Sequence, residues 1–253
     1  CIEKGIDFQA GGARYNWSVN NVAGLPNVVD SLIAVKEAVF DKREITGKAL
    51  ADILEKNFEG EETMRQRLAS SPRFGNDIAD VDTFAADLCE VIFKAYRANN
   101  TVRGGKFLPS CIMFSTYEDA GRAVGATPDG RLAGKPIADS IGPAFGRDKK
   151  GPTAMLKSVT KLPLHLATGT PVVSIRVKKT LFGSPEGRQK IQDLIQTYFA
   201  MGGLQMQVNV FDQKVMEDAI SNPEDHEDLI IRIGGFSMLF NSLSDELKQT
   251  LLE

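Results

Sequence analysis

The sequence predicts an α/β fold. Stretches with apolar residues at helical spacing alternate with short apolar runs at strand spacing, the pattern of strands joined through helices. At 253 residues and 42% hydrophobic, the chain can bury a sizeable core. No apolar run approaches the length that spans a bilayer, so the apolar residues belong to that core.

Taken in order, "NVVDSLIAVKEAVF" (27–40) reads as a helix entered after Pro26. A second helix follows Thr46 as N-cap and runs to about Asn57, with Leu50, Ile53 and Leu54 on one face. "EETMRQRLAS" is a short third helix, and "DVDTFAADLCEVIFKAYRANN" a long fourth, capped by Asp80 or Asp82 and carrying Cys89 on its apolar side. "KFLPSCIMF" is strand-like. Residues 121–153 then form a long loop region rich in Gly, Pro and Asp. Within it "GATPDGR" is not a phosphate-binding loop, because it lacks the Gly-Lys-Ser/Thr ending. "TPVVSIRV" (170–177) reads as a strand, and a helix runs from Pro185 to about Met201. "LQMQVNVF" alternates strictly, with Leu204, Met206, Val208 and Val210 on one face. A helix starts at Asp212, and Ser244 caps the last one.

The net charge of −3, with acids and bases interspersed, offers nothing to nucleic acid. Cys1, Cys89 and Cys111 form neither a disulfide framework nor a metal cluster, and two histidines leave little for a histidine-based metal site. Composition alone therefore points to a soluble cytoplasmic protein without a metal. The start at Cys1, with no initiator Met or signal peptide, reads as a fragment beginning in mid-protein.

One run resists the simple reading. "LIIRIGGFSMLF" (229–240) is an apolar strand pattern interrupted by Gly234 and Gly235, residues that pack nothing and lose the most entropy on ordering. A turn between two short strands explains it, as does a need for another group to approach the backbone. At the other end, Cys1 and Glu3 stand two residues apart. In an extended segment they point to the same side, a thiol beside a general acid/base.

"RIGGFSMLFNSLSDEL" resembles the C-terminal signature of the glycyl radical enzymes, Arg-Val-x-Gly-Tyr/Phe-Ser. "GGLQMQVNVFDQKVMEDAISNPEDHEDLIIRI", "GATPDGRLAGKPIADSIGP", "DKKGPTAMLKSV", "RGGKF" and "RFGND" resemble other stretches of that family, in consistent order along the whole chain. "CIE" is similar to the family's active-site Gly-Cys-Val/Ile-Glu. The resemblance implies part of a ten-stranded α/β barrel with surrounding helices. Residues 1–117 would be the C-terminal part of the barrel domain and 118–253 a glycine radical domain. It further implies a radical on Gly235, stabilised by its two flanking amides and unhindered by a side chain. A separate activating enzyme using S-adenosylmethionine and a [4Fe–4S] cluster would install it, with no bound cofactor in the chain itself. Cys1 would become the thiyl that abstracts hydrogen from a small organic substrate, and Glu3 would handle the coupled proton. Gly234 would be a conformational helper. Such enzymes are oxygen-sensitive, and a homodimer completed by the missing N-terminal half is the expected assembly.

Departures from the family's subgroups narrow the reading. Pyruvate formate-lyase has two adjacent cysteines and no glutamate, whereas Cys1 is followed by Ile2 and Glu3, which argues against that activity. Glycerol-type dehydratases carry an aspartate downstream, where this chain has Arg14 and Tyr15, which puts polyol dehydration in doubt. "GTPVVSIRV" resembles the strand lining the substrate pocket. Val173 and Ile175 would make its wall apolar if they face in, and Arg176 or Arg14 could hold an anionic group. The resulting expectation is a radical lyase that eliminates or cleaves a group, of dehydratase, decarboxylase or C–X lyase type. The alternatives are a radical enzyme adding hydrocarbon to fumarate, a stand-alone spare domain carrying the radical, and a non-catalytic binding module.

Overall fold

A computed structural model describes residues 1–233 and 235–252. Strand β1 (Ser18–Asn21) leads into four helices: α1 (Leu25–Val35), α2 (Gly47–Glu55), α3 (Glu62–Ala69) and α4 (Ala79–Ala98). Strand β2 (Phe107–Ser110) is followed by α5 (Tyr117–Arg122), an irregular stretch, and α6 (Gly151–Thr160). Strand β3 (Val172–Lys178), α7 (Pro185–Ala200), β4 (Gln205–Phe211) and α8 (Gln213–Ser221) complete the α/β part. A hairpin of β5 (Ile230–Ile233) and β6 (Phe236–Leu239) precedes α9 (Asp245–Leu252).

The first four strands run parallel in chain order. β1 pairs with β2, and β3 with β4. A bridge between Cys111 and Pro171 joins the two pairs. Helical crossovers separate each strand from the next, as parallel pairing requires. The largest core cluster lies on the helix side, where Val173, Ile175 and Val177 of β3 meet Phe93 and Cys89 of α4 and Val159 of α6. Cys89 is core filling, and its thiol is pushed up to about 12 by burial.

Local signals explain most element ends. Thr46 accepts from the Ala49 amide at 3.2 Å and Ser184 from Gly187 at 3.0 Å, each capping the helix that follows. Ser244 caps α9 by accepting from Leu247 at 3.2 Å. Two helix starts differ from expectation. Pro26 lies inside the first turn of α1, where its missing N–H costs nothing, and the helix widens into a π-turn at Lys36–Asp41. Neither Asp80 nor Asp82 caps α4, whose N-cap is Ile78. Both acids sit in its first turn, and the buried Asp82 is held by Lys161 at 2.7 Å.

The Gly/Pro/Asp-rich stretch is pinned by buried polar side chains. Asn27 of α1 donates to Asp129 Oδ2 at 3.0 Å and accepts from the Ala138 amide at 2.8 Å. Arg73 donates to the Leu68 and Asp129 carbonyls at 2.9 and 2.7 Å. Asn76 donates to the Arg147 carbonyl at 2.9 Å and accepts from the Lys149 amide at 2.8 Å. "RFGND" and "TPDGR" are thus devices for satisfying a buried loop's backbone.

Candidate active site

The apolar run around Gly235 folds as an antiparallel hairpin, in which Ile233 pairs with Phe236 and Arg232 with Ser237. Gly235 stands at the turn with φ +89°, a left-handed conformation that glycine adopts without strain. Gly234 lies outside the described residues. The Phe236 ring packs edge-on against Phe114 at 5.3 Å between centroids. Beyond its own chain neighbours, the described atom nearest a β-carbon added to Gly235 is Oε1 of Gln207, at 3.7 Å. The turn therefore lies over β4, on the side of Gln207.

That side of the sheet is polar. Gln207 pairs in register with Ser174, and Asn209 with Arg176, and Gln207 Nε2 donates to Asn209 at 3.3 Å. Asp139 adjoins Ser174 and Arg176, and burial pushes its carboxyl up against the lowering effect of its hydrogen bonds and of Arg176. The Arg176 guanidinium lies 4.8 Å above the Phe145 ring. A cleft of about 340 Å³ opens here, lined by Asp139, Ser174, Arg176, Phe145 and Phe211 among others.

The expected apolar wall is not on this face. Residues alternate along a strand, so Val173 and Ile175 point to the helices while Ser174 and Arg176 point the other way. Val173 and Ile175 are 0% and 3% exposed within the main core. What faces the glycine from this sheet is a carboxamide, with a second carboxamide, a hydroxyl and a guanidinium beside it. The alternation visible in "LQMQVNVF" carries that information once the glycine's side is known.

Cys1 and Glu3 stand upstream of β1. Ile2–Gly5 is a turn rather than an extended segment, closed by the Ile6 amide donating to the Cys1 carbonyl at 3.3 Å. Both residues are exposed. Downstream, the chain packs on the turn that feeds β2. Arg103 donates to the Gln9 side chain at 3.1 Å and Thr101 to the Asn16 carbonyl at 3.0 Å. A β-carbon at Gly105 would stand 1.9 Å from that same carbonyl oxygen. Residues 8–17 thus sit where the parallel strands begin. Phe114, which touches the hairpin, lies past the C-terminal end of β2. Arg14 and Tyr15 belong to the end where the strands begin, exposed and stacked on each other at 5.6 Å. Cys111 is buried in the core, where desolvation raises its thiol's pKa. Among the described residues no cluster of His, Cys, Asp or Glu could hold a metal ion, and no helix is long and apolar enough to cross a membrane.

The site is thus a left-handed glycine at a hairpin tip, beside the polar face of a parallel α/β sheet. Residues 1–121 match the pyruvate formate lyase-like family and residues 137–241 the glycine radical family. The chain belongs to the glycyl radical enzymes, and the glycine radical domain implies a protein-derived radical. It is 37% identical over 257 residues to trans-4-hydroxy-L-proline dehydratase of Clostridioides difficile, covering 100% of this chain and 32% of that enzyme. It is 31% identical to (2S)-3-sulfopropanediol dehydratase of Klebsiella oxytoca, covering 100% of this chain and 31% of the other. Among solved structures, the glycerol-bound B12-independent glycerol dehydratase of Clostridium butyricum superposes with a TM-score of 0.92 at 37% identity. That match covers 100% of this chain and 32% of the other. The chain thus spans about a third of the length of these relatives.

Proposed function

We propose that Gly235 stores a radical which the full-length protein uses, through a cysteine thiyl, to abstract hydrogen from a small organic molecule and eliminate a group from it. The protein is then a lyase of the dehydratase or C–X cleaving type, with its parallel strands forming an arc of a ten-stranded barrel. A radical S-adenosylmethionine enzyme with a [4Fe–4S] cluster installs the radical. The observation that carries this reading is the left-handed Gly235 at the hairpin tip, facing a polar sheet surface. Loss of a Cα hydrogen leaves a planar carbon conjugated with two amides, which a side chain would crowd.

For the thiol, the sequence offers Cys1 with Glu3. Cys1 as the thiyl and Glu3 as the acid/base for the coupled proton are the reading that the Cys-x-Glu pattern supports. The polar surface formed by Ser174, Arg176, Gln207 and Asn209 favours an oxygen-bearing substrate over a hydrocarbon, and so favours elimination over fumarate addition.

The test is electron paramagnetic resonance of the anaerobically activated full-length protein, followed by turnover of a substrate panel. A glycine-centred doublet that disappears in Gly235→Ala is expected, together with chain cleavage at residue 235 on exposure to air. The panel is trans-4-hydroxyproline, glycerol, propane-1,2-diol, 3-sulfopropanediol, isethionate, choline, an aryl acetate, and toluene with fumarate. Elimination from a hydroxylated member is expected. An undiminished signal in Gly235→Ala would sink the radical assignment, and turnover of toluene with fumarate alone would overturn the lyase reading.

A further inference from the structure

One of the two Cα hydrogens of Gly235 points where an L-residue would carry its β-carbon. The described non-neighbour atom nearest that position is Oε1 of Gln207, at 3.7 Å. Gln207 is held from two sides. Its backbone is fixed by the β3–β4 ladder opposite Ser174, and its Nε2 donates to Asn209 Oδ1 at 3.3 Å, which turns Oε1 toward the glycine. The flanking residues Met206 and Val208 pack against the helix-side core, so alternation holds Gln207 on the glycine's side.

We propose that Gln207 is a positioning residue for the Gly235 radical. Its carboxamide oxygen stands on the side of the Cα where an L-residue would carry its β-carbon, bounds the space into which the flattened carbon can move, and covers that side against small oxidants. This inference rests on Gly235 as the radical site and adds the group that sets its environment.

The experiment uses full-length protein activated anaerobically, comparing the parent, Gln207→Ala and Gln207→Glu by electron paramagnetic resonance and by radical decay in limited air. The alanine variant is expected to change the α-proton splitting of the doublet and to shorten the radical's half-life in air several-fold. The glutamate variant keeps an oxygen but loses the Nε2 donor to Asn209, so a splitting between those of the parent and of alanine is expected. An alanine variant with parent splitting and parent decay would overturn the proposal, as would a glutamate variant as altered as alanine. If Gln207→Ala fails to fold, Asn209→Ala releases the Nε2 anchor and is expected to shift the splitting in the same direction; parent behaviour there would likewise overturn it. A parent enzyme without a glycine-centred doublet would remove the Gly235 reading itself. A parent doublet that Gln207→Ala leaves unaltered removes only the role of Gln207.

Discussion

Oδ2 of Asp30 lies 3.7 Å from Nη1 of Arg73 in the core, beyond hydrogen-bonding reach, and neither atom has another hydrogen-bond partner among the described residues. Burial pushes the Asp30 carboxyl up to about 7, against the lowering effect of Arg73 and of the Phe74 amide that donates to Oδ1 at 2.9 Å. The folded protein therefore holds a proton that the unfolded chain releases near 3.8. Stability from this site is fully present below that unfolded value and is lost as pH rises through about 7. Thermal unfolding between pH 4 and 8 should show this decline, and Asp30→Asn should flatten it. A variant with the parent's pH slope would place the dependence elsewhere.

Asn27 serves two partners from one carboxamide, Asp129 and the Ala138 amide. Asn27→Ala removes both, and leaving a buried polar group unsatisfied costs roughly 1–3 kcal/mol. A fall of the denaturation midpoint by that order is expected, with Asn27→Asp worse because it sets a second carboxylate beside Asp129. A loss below about 0.5 kcal/mol in Asn27→Ala would mean that water replaces both bonds.

Cys1→Ser tests the source of the thiol. The serine variant should keep the glycyl signal and lose turnover, because a hydroxyl cannot stand in for a thiyl. Glu3→Gln should keep the signal and lower the rate by roughly 10²–10⁴, the weight of a general acid/base. Turnover within about twofold of the parent in either variant, or loss of the radical itself, would overturn the Cys1–Glu3 relay.

The chain by itself should self-associate. Among the described strands β1 and β4 each have a partner on one side only, and apolar side chains lie open at both edges. Trp17 and Val19 are more than half exposed, and Val210 and Leu204 about half. Unpaired edges with exposed apolar residues template association. Sedimentation of the isolated chain should show oligomers or aggregates, and a monodisperse monomer would contradict this.

What the sequence by itself determined is local in origin. Helical spacing, the Thr46 and Ser244 caps, the alternation in "LQMQVNVF" and the glycine pair all depend on residues within one or two turns of each other. Each therefore marks its element wherever that element lies in space, and the family signature around Gly235 is equally local. Tertiary structure decided which strand face bears chemistry, because Ser174–Gln207 register and the hairpin's position are set by contacts between distant segments. It moved Val173 and Ile175 into the core and brought Gln207 to the glycine. It also closed the backbone at Cys1–Ile6 into a turn, where the spacing of Cys1 and Glu3 alone reads as extended, because a hydrogen bond between the Ile6 amide and the Cys1 carbonyl forms there.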